Sequence, residues 1–199
     1  MKASLLSLSS RVTGRFGVVH VAGVALGLSL LACEPGGVGD PCTPEDEYEP
    51  SFSGYGLEEV NVESKSFQCE TRLCLVNHFQ GRVSCPYGQS EADVTSGNPQ
   101  CFIPGTQDQV NKPVEPQKTN RRPNDAVYCS CRCANKDGSK DDGARYCECP
   151  SGYDCEKLID FTFGEKDQLA GYYCIKQGTR YTGFSPGECD RSISNCDGE

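Results

Sequence analysis

Fifteen cysteines in 199 residues, none of them before position 33, constrain this chain more than any other feature. Setting Cys33 aside leaves fourteen: Cys42, Cys69, Cys74, Cys85, Cys101, Cys129, Cys131, Cys133, Cys147, Cys149, Cys155, Cys174, Cys189 and Cys196. An even number at close spacings, as in CSCRC and CEC, reads as a disulfide framework built in an oxidising compartment. The chain also needs one. From Cys33 onward, 167 residues (199 less 32) hold 25 Leu, Ile, Val and Phe, with no Met and no Trp, about 15% and below what a self-sufficient core requires. Sixteen Lys and Arg (19 less the three before position 33) face 28 Asp and Glu, a net charge of −12. Few apolar groups and high charge predict disorder unless crosslinks intervene. Each bridge typically contributes about 2 to 4 kcal/mol, so seven replace much of the missing burial. The expected fold is small and disulfide-rich, mainly β with long loops, and without an extensive hydrophobic core.

The first 32 residues carry Lys2, Arg11 and Arg15 with no acidic residue, then the apolar run VAGVALGLSLL at 21–31. This is the pattern of a secretory signal peptide, and eleven residues rise only about 16 Å as a helix, roughly half a bilayer core. Leu30, Leu31, Ala32 and Cys33 resemble the lipobox of bacterial lipoproteins. That resemblance implies cleavage after residue 32, a covalent lipid on Cys33 and attachment to a membrane without a transmembrane helix. Glu34 is not the aspartate associated with inner-membrane retention, so the resemblance implies the outer membrane, on its periplasmic or cell-surface face. Residues 33–41, with EPGGVGDP after the cysteine, read as a lipidated flexible tether. Two short segments, GDPC at 39–42 and CPSGYDC at 149–155, are similar to modules of cysteine-rich surface lipoproteins of the myxobacterial type. They imply placement at the cell surface.

Residues 42–199 are expected to form one crosslinked domain. The stretch 43–59, with Glu45, Asp46, Glu47 and Glu49, reads as a solvated loop, and RLCLVNHF followed by GRVSC reads as a hairpin over 72–85. Residues 104–124 hold four prolines and no cysteine, which suggests an exposed, linker-like loop. It divides the structural cysteines into five and nine. Both numbers are odd, so at least one bridge must cross the division if all pair within the chain. VYCSCRCAN, read as one strand, places Cys129, Cys131 and Cys133 on one face, too far apart to bond to each other. One option is a hairpin with Cys133 opposite Cys147 and Cys131 opposite Cys149. Fourteen half-cystines allow about 135,000 pairings, and sequence does not choose among them. KLIDFTF and LAGYYCIK read as two strands around a turn at 164–167. The aromatic residues, Phe161, Phe163, Tyr172 and Tyr173 included, are expected to pack around disulfides in place of aliphatic core.

Chemistry is sparsely signalled. After residue 32 the one histidine is His78, near no nucleophile motif, and GxSxG, HExxH and P-loop patterns do not occur. Paired carboxylates, the machinery of glycoside hydrolysis, leave a hydrolase as an alternative. Clustered thiolates are good zinc or copper ligands, which makes a metal-binding protein the third reading, disfavoured because exported cysteines are oxidised. The loop NKDGSKDDG at 135–143 fails the calcium-loop register, since its first ligand position falls on Cys133 and its twelfth on Ala144. Strong acidity makes nucleic acid and anionic lipid headgroups poor partner candidates. The leading expectation is a non-catalytic module without a cofactor, held at the cell envelope by the lipid on Cys33 and binding another envelope or surface protein.

Overall fold

Strand β2 (Cys74–Asn77), the buried tetrapeptide CLVN, lies between strands β1 (Val60–Glu63) and β3 (Val127–Cys129), both antiparallel to it. The chain is described here from a computed structural model over residues 35–160, 169–184 and 187–196. Successive side chains of a strand point to opposite faces, so β2 serves two clusters at once. Cys74 and Val76 join Tyr55, Phe79, Ala126 and Val127 on one side. Leu75 joins Val62, Leu73 and Tyr128 on the other, where Tyr173 and Ile175 from a second sheet meet it. That sheet holds β4 (Arg132–Ala134), β5 (Tyr153–Ile159) and β6 (Gly171–Lys176) in the order β4-β6-β5, again antiparallel. Two short helices, α1 (Glu91–Thr95) and α2 (Pro123–Ala126), and a 3-10 turn at Glu45–Tyr48 complete the regular structure among the described residues. The fold is thus mainly β, disulfide-rich and divided into small apolar clusters, three of which contain half-cystines.

Seven disulfides use all fourteen cysteines from position 42 on: Cys42–Cys74, Cys69–Cys129, Cys85–Cys101, Cys131–Cys147, Cys133–Cys155, Cys149–Cys174 and Cys189–Cys196. Cys69–Cys129 is the bridge that crosses the 104–124 segment, as the odd counts on each side demand. The hairpin pairing of Cys133 with Cys147 and Cys131 with Cys149 is not formed. The reason is that VYCSCRCAN is not one strand: the chain leaves the first sheet at Cys129 and enters the second at Arg132. Buried Ser130 holds this crossing, its N–H donating to the Leu73 carbonyl (3.0 Å) and its hydroxyl to that of Cys174 (2.8 Å). β4 then pairs with β6, which leaves the symmetric register with 147–149 unused.

Four other expectations are corrected. The 72–85 hairpin does not form, because β2 pairs with β1 and β3 while Gly81 bridges to Tyr55 and Arg82 turns inward. The acidic loop is not wholly solvated. Glu47 and Arg82 are both fully buried, with the guanidinium Nε 3.4 Å from the carboxylate. Arg82 also donates to the carbonyls of Glu47, Glu49 and Phe52, and Glu47 accepts from the Val83 N–H and the Ser84 hydroxyl, both at 2.7 Å. The 104–124 segment is exposed over much of its length, but it is a strap pinned at four buried residues rather than a free linker. Val110, Val114, Gln117 and Arg121 are buried, and the side chains of Gln89 and Gln117 hold its carbonyls and those beneath it. Its path presses on Gly81, whose φ of +82° suits glycine and where any Cβ would collide with the Glu115 carbonyl.

The described part of the tether is likewise docked. Gly36 donates to the Gln68 carbonyl (2.7 Å) and accepts from the Glu70 N–H (2.9 Å). Gly39 and Asp40 then exchange backbone bonds with Cys129, both at 2.8 Å, so the segment runs along the free edge of β3. Cys33 and the signal segment lie outside the described residues, as do Phe161, Phe163 and the turn at 164–167. Contacts group Glu34–Glu199 as one unit.

In the chain-entropy picture the crossing bridge, with a sequence separation of 60, is worth about 4 kcal/mol and the 7-residue Cys189–Cys196 link about 2 kcal/mol. Double alanine variants of each pair, compared by denaturant unfolding, are expected to fall in that order. For the buried pair, Arg82→Met leaves Glu47 charged and unpaired. A loss of about 3 to 5 kcal/mol is expected, with Arg82→Lys intermediate because an ammonium does not span the carbonyls the guanidinium fork reaches.

Candidate functional site

His78, the histidine that a Ser/His/Asp or Cys/His mechanism would require, is occupied structurally. Its Nδ1 lies 3.1 Å from the Leu57 carbonyl, the hydrogen-bond partner described for its ring, and the imidazole stacks on Tyr181 with centroids 4.4 Å apart. A carbonyl partner makes Nδ1 the protonated nitrogen. Burial holds the imidazole below its usual pKa, with Arg121 pushing the same way. Among the described residues no hydroxyl or thiol nucleophile bonds to it.

The cysteine clusters behave similarly. The sulfurs of Cys42, Cys69 and Cys129 lie within 4.8 Å of one another, as do two groups around Cys174, yet each of these atoms is already in a disulfide. A disulfide sulfur lacks the negative charge that makes a thiolate a ligand. NKDGSKDDG forms a turn organised by Asn135, whose Oδ1 accepts from the N–H groups of Asp137 and Ser139.

Three clefts among the described residues stand out by volume. The widest, 600 Å³, runs under the strap between α1 and Pro113–Pro116, with Asp93, Glu115 and Arg191 on its walls. Asp93 is committed: it accepts from the Ser90 hydroxyl and N–H in a capping box, and those bonds hold its carboxyl below the ordinary range. A second cleft of 430 Å³ gathers Arg121, Lys176, Arg180 and Tyr181. Its cations are also spoken for. Arg121 donates to the carbonyls of Asn77, His78 and Thr179, Lys176 pairs with Asp125 at 2.9 Å, and Arg180 lies 3.5 Å from Glu156.

The third cleft, 340 Å³, differs from both. Tyr48, Phe67, Glu45, Glu63, Lys65 and Ser66 line it, and its walls are mainly apolar. Phe67 is 79% exposed, more than any other large apolar residue described, and Tyr48 is 47% exposed. The Arg72 guanidinium sits 4.3 Å from the centre of the Phe67 ring. Glu63 accepts from the Glu45 N–H at 3.0 Å. Burial nevertheless raises its carboxyl above the usual range, and the negative charges of Glu45 and Asp46 add to the rise. It is the carboxyl among the described residues that carries a resolved upward shift. Ser66, buried beside it, has a hydroxyl without a described partner. Gln68 closes the floor by exchanging hydrogen bonds with the Thr43 backbone, at 3.0 and 2.6 Å.

Sequence reading does not pick out this cleft. Phe67 stands in SKSFQC without an alternating partner, and aromatic residues in so poor a core are expected to be buried. Tyr55, Phe79, Tyr128 and Tyr173 meet that expectation, while Tyr48, Phe67, Phe102 and Phe184 do not. Compared with family models, curated proteins and solved structures, the chain matches none.

A raised carboxyl binds its proton more tightly in the folded protein than in the unfolded chain, so its ionisation costs stability as pH rises past the ordinary carboxyl value. Glu63→Gln keeps an acceptor for the Glu45 N–H and removes that cost. The variant is expected to gain on the wild type as pH is taken from about 4 to about 7. Denaturation midpoints across that range check this, and a constant difference would show that Glu63 is not desolvated.

Proposed function

We propose that this chain is an exported lipoprotein, held on the outer membrane by a covalent lipid on Cys33, that serves as a rigid, non-catalytic binding or structural module at the cell envelope. One observation carries the reading: the seven bridges use every cysteine from Cys42 onward and leave Cys33 without a partner in the chain. So dense a disulfide framework belongs to an oxidising, extracytoplasmic compartment, and no helix among the described residues is long and apolar enough to cross a membrane. A thiol left over in that setting, directly after Leu30-Leu31-Ala32, is where acylation resembling that of bacterial lipoproteins would occur.

The non-catalytic part of the proposal is supported by the employment of the chemistry-bearing groups. His78 spaces a stack, Asp93 caps a helix, Glu47 balances Arg82, and Glu188 receives Lys118 at 2.7 Å. The partner that fits is another envelope or surface protein. An acidic chain repels nucleic acid.

Mass spectrometry of the protein from membranes of its producing cell tests the address. The expected mature form starts at Cys33 with the added mass of acyl chains, and Cys33→Ala abolishes that form and its membrane fractionation. A mature amino terminus elsewhere, with no lipid, overturns the proposal.

A further inference from the structure

The apolar cleft and the amino-terminal segment meet at the same place. Gly36 is clamped between Gln68 and Glu70, and Gln68 directly follows Phe67 in the chain. Only Glu34 and Pro35 separate Gly36 from Cys33. Three peptide steps span at most about 11 Å, and proline stiffens both its own φ and the residue before it. Downstream of Gly36 there is no slack, because the Asp40 carboxylate accepts from the Gly37 N–H (2.7 Å) and Gly39 is fixed to Cys129. Gly39 itself, at φ +100°, lies against the Tyr153 ring, where a Cβ has no room. Whatever holds Cys33 therefore holds, three residues on, Gly36 and the 68–70 backbone that follows Phe67.

We propose that Phe67 and Tyr48 dock into the headgroup region of the bilayer to which Cys33 is anchored, so that the lipid and this aromatic pair together fix the orientation of the domain. The inference rests on the lipid-anchor reading. Tyrosine is enriched at the membrane–water interface, and exposed phenylalanine beside Lys or Arg buries at the boundary of headgroups and acyl chains. Phe67 carries Arg72 over its ring, and Lys65 lines the cleft beside it. Glu45 and Glu63 line the same cleft and Glu70 follows three residues after Phe67, so the two cations stand among carboxylates, which suits zwitterionic phospholipid rather than an anionic surface. A single aromatic side chain binds a membrane weakly by itself. Carried on the loop that Gly36 holds, with Gly36 at most about 11 Å along the chain from the acyl anchor, it acts at a high effective concentration.

The chain contains no tryptophan, so one introduced indole reports its own surroundings. Full-length Phe67→Trp and Phe184→Trp proteins are purified after export in a lipidating host and reconstituted into phosphatidylethanolamine–phosphatidylcholine vesicles, with or without brominated acyl chains. Phe184 is 69% exposed and lines a cleft that shares no residue with that of Phe67, so it is the control. The expected result is a blue-shifted Phe67→Trp emission quenched about twofold by brominated lipid, with Phe184→Trp unaffected. If the mass at Cys33 shows acylation and both proteins float with vesicles, but the two indoles are quenched alike or not at all, docking is overturned and the anchor stands. If Cys33 carries no lipid and neither protein floats, both readings fall together.

Discussion

Where β2 and β3 lie side by side, Cys74 stands opposite Cys129, yet the two do not bond to each other. Cys74 reaches back to Cys42 and Cys129 to Cys69, so two fully buried bridges cross at the centre of the first sheet. The rest of the structure hangs from this junction. It binds the amino-terminal segment, the loop before β2 and the second half of the chain into one unit, at a point where apolar packing alone offers only Val76, Val127, Phe79 and a few neighbours. Crosslinks of this kind act mainly by depriving the unfolded chain of freedom, which is the economy open to a chain with so little apolar surface to bury.

Buried polar side chains do much of the remaining organising. Glu47 and Arg82 stitch the acidic segment to residues 82–84, and Gln89 accepts from the N–H groups of Gln100 and Cys101 while donating to the carbonyls of Val110 and Lys112. Long irregular segments carry backbone groups that cannot be left unpaired when covered. Amide and guanidinium groups satisfy several at once. The loops are therefore ordered by hydrogen bonds to specific side chains more than by regular secondary structure. Substitutions at Gln89, Gln117, Arg82 or Arg121 strike the framework itself.

The same arrangement leaves an imbalance at the surface. Gly39 and Asp40 are committed to the edge of β3, and the loop bonded to Gly36 leaves Phe67 exposed instead of burying it. In a molecule short of core, that ring is left 79% exposed.

Much of the fold class was legible before any coordinates. Cysteine parity required a bridge across residues 104–124, low apolar content required crosslinks, and the alternation in LAGYYCIK announced β6. These are local or compositional properties, readable residue by residue. The pairing of the half-cystines, the switch of VYCSCRCAN between two sheets at Ser130, the burial of Glu47 and the exposure of Phe67 were not legible. Each depends on a partner far along the chain: Arg82 lies 35 residues from Glu47, and Cys129 lies 60 from Cys69. A charged residue is buried only where its counter-charge arrives, and a sulfur bonds only to the sulfur that the sheets bring within reach. Composition thus decided that the chain would be held together by disulfides, and tertiary structure alone decided which ones and what they left facing outward.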